Sequence, residues 1–285
     1  MLAKIIKKMI DKKQYSFEVN DIKFSNQTKI VLIAGPCALE SKDHAFQIAE
    51  QVKEICMSLN IKFIFKSSFD KANRSSIDSQ RGIGLERALN IFEELKNKLK
   101  ITVITDVHIS EHCNDVASVV DILQIPAFLC RQTDLLVSAA ITKKAVMTKK
   151  GQFLAPWEMK NIVKKLEVNG CEKIILCERG TSFGYNNLVS DMRSIPIMQQ
   201  TGWPVIFDAT HSVQQPGSLG EVSGGQREFV PILAKAAVAV GVAGIFIETH
   251  NNPDLAPSDG PNMLKIENLK ILLENLLEID TISKK

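Results

Sequence analysis

The sequence predicts a single (β/α)8 barrel, a TIM barrel, with a short N-terminal β-hairpin extension. Three observations carry this reading. Eight short apolar runs punctuate the chain, segments of helical periodicity lie between them, and 285 residues is the length that eight strand–helix units require. No linker-like composition divides the chain, so residues 1–285 read as one domain, with 1–28 as a hairpin cap and 29–285 as the barrel.

Taken in order, Tyr15-Ser-Phe-Glu-Val and Ile22-Lys-Phe flank Asn20-Asp21, a two-residue turn signal, and predict a hairpin at the bottom of the barrel. The strand runs are Ile30–Ala34, Ile61–Phe65, Ile101–Thr105, Ile122–Ile125, Ala145–Thr148, Lys173–Cys177, Val205–Phe207 and Gly244–Ile247. Asp43–Leu59, Leu85–Leu99 and Met159–Val168 place apolar residues three and four apart and read as helices. Leu264–Ile279 does the same after the eighth strand. A doubly wound sheet would want a glycine-rich turn after its first strand. Gly35-Pro36-Cys37 is no such turn, and Gly82-Ile-Gly84 stands far from a strand end.

Composition removes several function classes. A net charge of +3 is too small to argue for nucleic acid, and an aromatic content of 6% gives no base-stacking platform. Six cysteines without framework spacing read as the reduced thiols of a cytoplasmic protein. The basic start, Met1 to Lys13, lacks a continuous apolar core, and the longest uncharged apolar stretch, Ala236 to Ile247, is too short to cross a bilayer.

In a TIM barrel the chemistry sits where the strands end. Here the strand ends carry, in order, Cys37, Lys66, Asp106 with His108, Gln124, Lys149 with Lys150, Glu178 with Arg179, Asp208 with His211, and Glu248 with His250. A polar group at all eight ends points to an enzyme. Strands one, seven and eight become neighbours when the barrel closes, and they bring together Cys37, His211 and Glu248, with Asp259 in the following loop. One thiolate, one imidazole and two carboxylates suit Zn, Fe or Mn as a divalent ion. Lys149 and Arg179, on adjacent strands, can clamp one phosphate or carboxylate; the bland alternative pairs Arg179 with Glu178 at the surface. After the second strand, Lys66-Ser-Ser-Phe-Asp-Lys-Ala-Asn-Arg-Ser-Ser76 is rich in cations and hydroxyls, as a second anionic, polyhydroxylated ligand would need. Two anionic pockets beside a metal imply two phosphorylated or acidic substrates being joined.

Several long motifs resemble the 3-deoxy-D-manno-octulosonate 8-phosphate synthase family. They are Ala34-Gly-Pro-Cys-Ala-Leu-Glu-Ser41, Phe65 to Ser76, Gln124 to Asp134, Lys149-Lys-Gly-Gln-Phe153, Glu178-Arg-Gly180, Phe183-Gly-Tyr-Asn-Asn187, Asp208-Ala-Thr-His-Ser-Val-Gln214 and Glu248-Thr-His250. The resemblance runs from about Ile30 to about Pro261. It implies condensation of phosphoenolpyruvate with arabinose 5-phosphate, with release of phosphate, on the route to the Kdo sugar of lipopolysaccharide. Some members carry Asn in place of Cys37 and need no metal; Cys37, His211, Glu248 and Asp259 together imply the metal-dependent class. The resemblance further implies that Lys149 and Arg179 hold the phosphate of phosphoenolpyruvate. Lys66, Ser68 and Lys71 would lie near its carboxylate and the sugar, and Asn73, Arg74 and Ser75 would take the arabinose 5-phosphate, reaching a neighbouring subunit's site. Asp106, His108 and Gln124 would line the centre. Phe128–Asp134 resembles a subunit-interface piece, in keeping with a homotetramer. The rival is the related 3-deoxy-D-arabino-heptulosonate 7-phosphate synthase, which uses erythrose 4-phosphate. It typically has a Lys-Pro-Arg-Thr type segment where this chain has Lys71-Ala-Asn-Arg-Ser-Ser76.

Overall fold

A computed structural model describes residues 13–73, 81–217 and 224–285. Eight parallel strands form its centre: β1 (Val31–Gly35), β2 (Phe63–Lys66), β3 (Thr102–Asp106), β4 (Ile122–Ile125), β5 (Ala145–Lys149), β6 (Ile174–Glu178), β7 (Val205–Asp208) and β8 (Gly244–His250). Each pairs in parallel with the next. The ring closes where β8 meets β1, in register from Gly244 opposite Val31 to Glu248 opposite Gly35. Helices follow the strands: α1 (Lys42–Ser58), α2 (Leu85–Leu99), α3 (His112–Val119), α4 (Thr133–Ile141), α5 (Met159–Val168), α6 (Ser194–Gln199), α7 (Val230–Val240) and α8 (Leu269–Ser283). The predicted TIM barrel is therefore the observed fold.

Side chains alternate across each strand, and this divides the core in two. Val31, Ile33, Ile64, Ile104, Ile122, Met147, Ile175, Ile206 and Phe246 fill the barrel. Leu32, Ala34, Phe65, Val103, Leu123, Val146, Leu176, Phe207 and Ile247 face outward and pack under the helices. The hairpin, Phe17–Val19 with Ile22–Phe24, turns at Asn20 with φ +54°. Its Val19, Ile22 and Phe24 join the interior cluster and close the barrel's amino end. Asn20 Nδ2 donates to Thr102 Oγ1 at 3.0 Å, which fixes the cap to the base of β3.

Several strands outrun their apolar signatures. Seven of the eight extend one or more residues beyond the predicted carboxyl end, taking in Gly35, Lys66, Asp106, Lys149, Glu178, Asp208 and Glu248 to His250. Backbone pairing does not depend on apolarity, so an apolar run stops too early when the next side chain belongs to a site. The last helix begins at Leu269 and not at Leu264; Leu264–Lys265 adds a short parallel strand beside Thr249 and His250. The apolar stretch Ala236–Ile247 is the end of α7, a turn at Gly241 with φ +95°, and most of β8. No described helix is long and apolar enough to cross a membrane.

Candidate active site

The two-residue alternation that fills the barrel also builds the site. Two positions beyond the interior residues Ile64, Ile104, Ile122, Met147, Cys177, Ile206 and Phe246 stand Lys66, Asp106, Gln124, Lys149, Arg179, Asp208 and Glu248. All seven are buried. Together they form a charged layer on top of the apolar one, at the floor of a cavity of about 650 Å³. Lys66, Ser68, Lys71, Asn73, Asp106, His108, Gln124, Lys149, Arg179, His211 and Asp259 all line this cavity. Cys37 and Glu248 lie against its lining, through Asp259 and Lys66 respectively. Arg74 and Ser75 lie outside the described residues.

Lys66 is the hub of one wall. Its ammonium donates to Ser68 Oγ at 2.9 Å and Glu248 Oε1 at 3.3 Å, and lies 3.7 Å from Asp106 Oδ1. Lys71 donates to the same Ser68 hydroxyl at 3.0 Å. Burial works against the charge on Lys71, but Cys37, Glu248, Asp106 and Asp259 around it hold its pKa well above the ordinary value. Asp106 is the converse case. Burial would raise its pKa, yet Lys66, the hydrogen bond from His108 and the charge of Lys71 keep it well below the carboxylate range. His108 Nε2 meets Asp106 Oδ2 at 2.8 Å.

At the seam between β7, β8 and β1, ligand atoms of Cys37, Glu248 and Asp259 lie within 4.8 Å of one another. Cys37 Sγ is 3.0 Å from Asp259 Oδ2. His211 joins them through Nε2, 3.6 Å from Glu248 Oε1. Its other nitrogen, Nδ1, is 2.8 Å from Asp208 Oδ2, so the Asp208 carboxylate orients the ring with Nε2 toward Glu248. The second oxygen of Glu248 is buried without a hydrogen-bond partner among the described residues. Burial, with Asp259 and Glu248 alongside, pushes the Cys37 thiol far up, so the thiolate needs a nearby positive charge to form. The four residues therefore fit a divalent cation.

Two further cations, Arg179 and Lys149, stand beside this group. Arg179 Nη2 donates to Gln214 Oε1 at 2.8 Å, while its buried Nη1 has no partner among the described residues. Burial lowers the Arg179 pKa, although a guanidinium remains charged at any working pH. Lys149 donates to Asp208 Oδ2 at 2.6 Å and stands 3.9 Å above the centre of the Phe246 ring.

Three of the strand-end groups, Lys150, Glu178 and His250, stand outside the cavity. Lys150 and Glu178 fall on the outward parity of β5 and β6, so neither enters the cavity. Nor does Glu178 make a surface pair with the Arg179 guanidinium. Its Oε1 lies 3.5 Å from Lys150 Nζ and accepts the backbone N–H groups of Arg179 and Gly180, at 3.0 and 2.7 Å. Lys150, fully buried, also donates to Thr181 Oγ1 and to the carbonyls of Gly151, Leu154 and Gly180. This buried pair ties the loops after β5 and β6 and so aims Arg179. Asp208, which the strand-end reading placed with His211, is a support of the same kind, and so is Gln214, which that reading did not single out. The signal for Asp208 was its inward parity, three residues before His211. His250 also falls outside the site. Its Nε2 meets Glu40 Oε1 at 2.9 Å, beside His44.

A barrel with buried cations and a mixed thiol, imidazole and carboxylate group at its mouth defines a class, and sequence comparison places the chain within it. A sequence model of the DAHP synthetase I family matches residues 7–285, and the chain belongs to that family. Within it, the chain is 61% identical to the 2-dehydro-3-deoxyphosphooctonate aldolase of Bartonella henselae over 268 residues, 94% of this chain and 96% of that protein. The protein of the same name from Bartonella quintana matches to the same extent. That of Agrobacterium fabrum is 61% identical over 263 residues, 92% of this chain and 93% of its own length.

Proposed function

We propose that this chain condenses phosphoenolpyruvate with D-arabinose 5-phosphate and water, giving 3-deoxy-D-manno-octulosonate 8-phosphate and inorganic phosphate for Kdo and lipopolysaccharide synthesis. The observation that carries this reading is that Lys149 and Arg179 share one cavity with His211 and Asp259, against which Cys37 and Glu248 lie. The names of relatives about 60% identical over nearly the whole chain support it. The family model bears the name of the heptulosonate enzyme, but the relatives and the Lys71-Ala-Asn-Arg-Ser-Ser76 segment favour the five-carbon sugar phosphate.

Arg179, with its free Nη1, and Lys149 take the phosphate of phosphoenolpyruvate. Lys66 and Lys71 supply fixed positive charge for its carboxylate. Ser68, held by both, sets their spacing. The acidic groups around Lys71 favour its charged form. Asn73, Arg74 and Ser75 receive the sugar phosphate, and Gln124 faces the space between the two substrates. The enol carbon of phosphoenolpyruvate bonds to the sugar aldehyde carbon. Water then adds to the carbon bearing phosphate, and its C–O bond to phosphate breaks. His108, paired with ionised Asp106, is the group placed to accept and return a proton. Cys37, His211, Glu248 and Asp259 would hold a Zn, Fe or Mn ion, which when bound would supply Lewis acidity toward an oxygen of substrate or water. Alignment of two pinned reactants contributes on the order of 7–11 kcal/mol of barrier lowering in such reactions.

Exposed Phe128, Phe153 and Trp157, in the segments after β4 and β5, favour self-association, for which the family resemblance implies a homotetramer, and six free, buried cysteines favour a cytoplasmic setting. Phosphate release is expected with arabinose 5-phosphate and only weakly with erythrose 4-phosphate; the reverse preference would assign the chain to the heptulosonate reaction. Sedimentation as a monomer at micromolar concentration would refute the tetramer.

A further inference from the structure

Both cations of the phosphate clamp stand one side chain away from a metal-group residue. Asp208 Oδ2 accepts from Lys149 Nζ at 2.6 Å and from His211 Nδ1 at 2.8 Å. The two donors therefore share a single oxygen, and they lie 3.4 Å from each other. The other oxygen, Oδ1, is taken by the backbone N–H of His211 at 2.9 Å. Asp208 is completely buried, so no water competes for its charge. The second link runs through Gln214. Its Oε1 accepts from Arg179 Nη2 at 2.8 Å, and its Nε2 donates to Asp259 Oδ1 at 2.8 Å.

We infer that Asp208 and Gln214 couple the phosphate half of the site to the metal group, so that phosphate and a divalent cation bind cooperatively. This rests on the reading of the two half-sites given above. A phosphate oxygen entering the clamp competes with Asp208 for the protons of Lys149. As that hydrogen bond weakens, more of the carboxylate's charge falls on His211 Nδ1–H, and Nε2 becomes a better ligand. No proton changes hands. In the second link Arg179 polarises the Gln214 amide, which draws charge from Asp259. Phosphate on Arg179 relieves that pull and strengthens Asp259 as a ligand. Both links act in the same direction. By linkage, a cation at the seam must tighten phosphate by the same factor. Asp208 and Gln214 are positioning residues; neither need touch substrate.

The test is calorimetric titration of Co²⁺ into the metal-stripped full-length protein, with and without saturating inorganic phosphate, and the reciprocal titration. Phosphate is expected to tighten Co²⁺ about fivefold or more, the lower range of coupling between linked sites. Asp208→Asn and Gln214→Leu should each lose much of that factor while still binding both ligands. Gln214 is partly exposed, so its variant keeps the test open if the Asp208 variant fails to fold. Simple attraction between phosphate and cation would survive both substitutions. A factor of wild-type size in both variants, or independent binding in wild type, overturns the coupling alone. Failure of wild type to bind Co²⁺ or phosphate at all overturns the half-site reading and the coupling with it.

Discussion

Lys150→Met removes one partner of a fully buried ion pair and leaves the other in place. The side chain gives up its contact with Glu178 at 3.5 Å, a hydrogen bond to Thr181 Oγ1 at 3.0 Å and three longer ones to carbonyls. Breaking a buried pair from one side costs about 3–5 kcal/mol. Glu178 retains the N–H groups of Arg179 and Gly180, which places the loss near the lower end, about 3 kcal/mol. For a chain this long that is a fall in Tm of roughly 6 °C, read by circular dichroism. The same change frees the turn that aims Arg179. KM for phosphoenolpyruvate should rise roughly 10- to 100-fold, as small misplacements of a positioning group do, while KM for the sugar phosphate stays near wild type. Adding Glu178→Gln should recover part of the stability, because it removes the stranded charge. A single variant that melts within about 2 °C of wild type, with KM for phosphoenolpyruvate unchanged, would refute the assignment of Lys150 and Glu178 as the support of Arg179.

Cys37→Ala should abolish metal binding and activity, whereas Cys37→Asn is expected to keep measurable activity; metal analysis and phosphate release check both. Gly35→Ala puts a Cβ 2.1 Å from the Lys66 carbonyl at a residue with φ +154°, and a loss of about 3 kcal/mol in chemical denaturation is expected from strain and overpacking combined. Asp106, Asp208, Glu248 and Asp259 all have folded pKa values below their ordinary 3.8 or 4.5. For depressed carboxylates the stability they add is present above the ordinary values and is lost as pH falls through the folded ones. Acid unfolding of the metal-stripped protein should therefore begin below about pH 4, and stability that rises as pH falls from 5 to 3 would contradict the ion network.

Much of the fold was legible because apolar runs and helical periodicity mark buried faces. The elements that escaped were the ones that do not announce a face: α3 and α6 are short, and α4 and α7 are apolar nearly all round. Strand ends were misplaced wherever a polar side chain belonged to the site, as at Lys66, Asp106 and Lys149. Parity was the unused signal. Counting in twos from Met147 and Cys177 puts Lys149 and Arg179 inside the barrel and Lys150 and Glu178 outside it, where the structure has them. The convergence of Cys37, Glu248 and Asp259 followed from barrel closure alone, since strands one and eight must meet. The sharing of Asp208 Oδ2 by Lys149 and His211 depends on side-chain rotamers and on distances across three strands, which no spacing in the chain encodes.

The central claim is a metal-assisted condensation in this cavity, and phosphate release from phosphoenolpyruvate with arabinose 5-phosphate, before and after chelation, tests it most directly. Release should stop when the metal is stripped and return when Zn²⁺, Fe²⁺ or Mn²⁺ is restored. Undiminished release from protein shown by elemental analysis to be metal-free would contradict it.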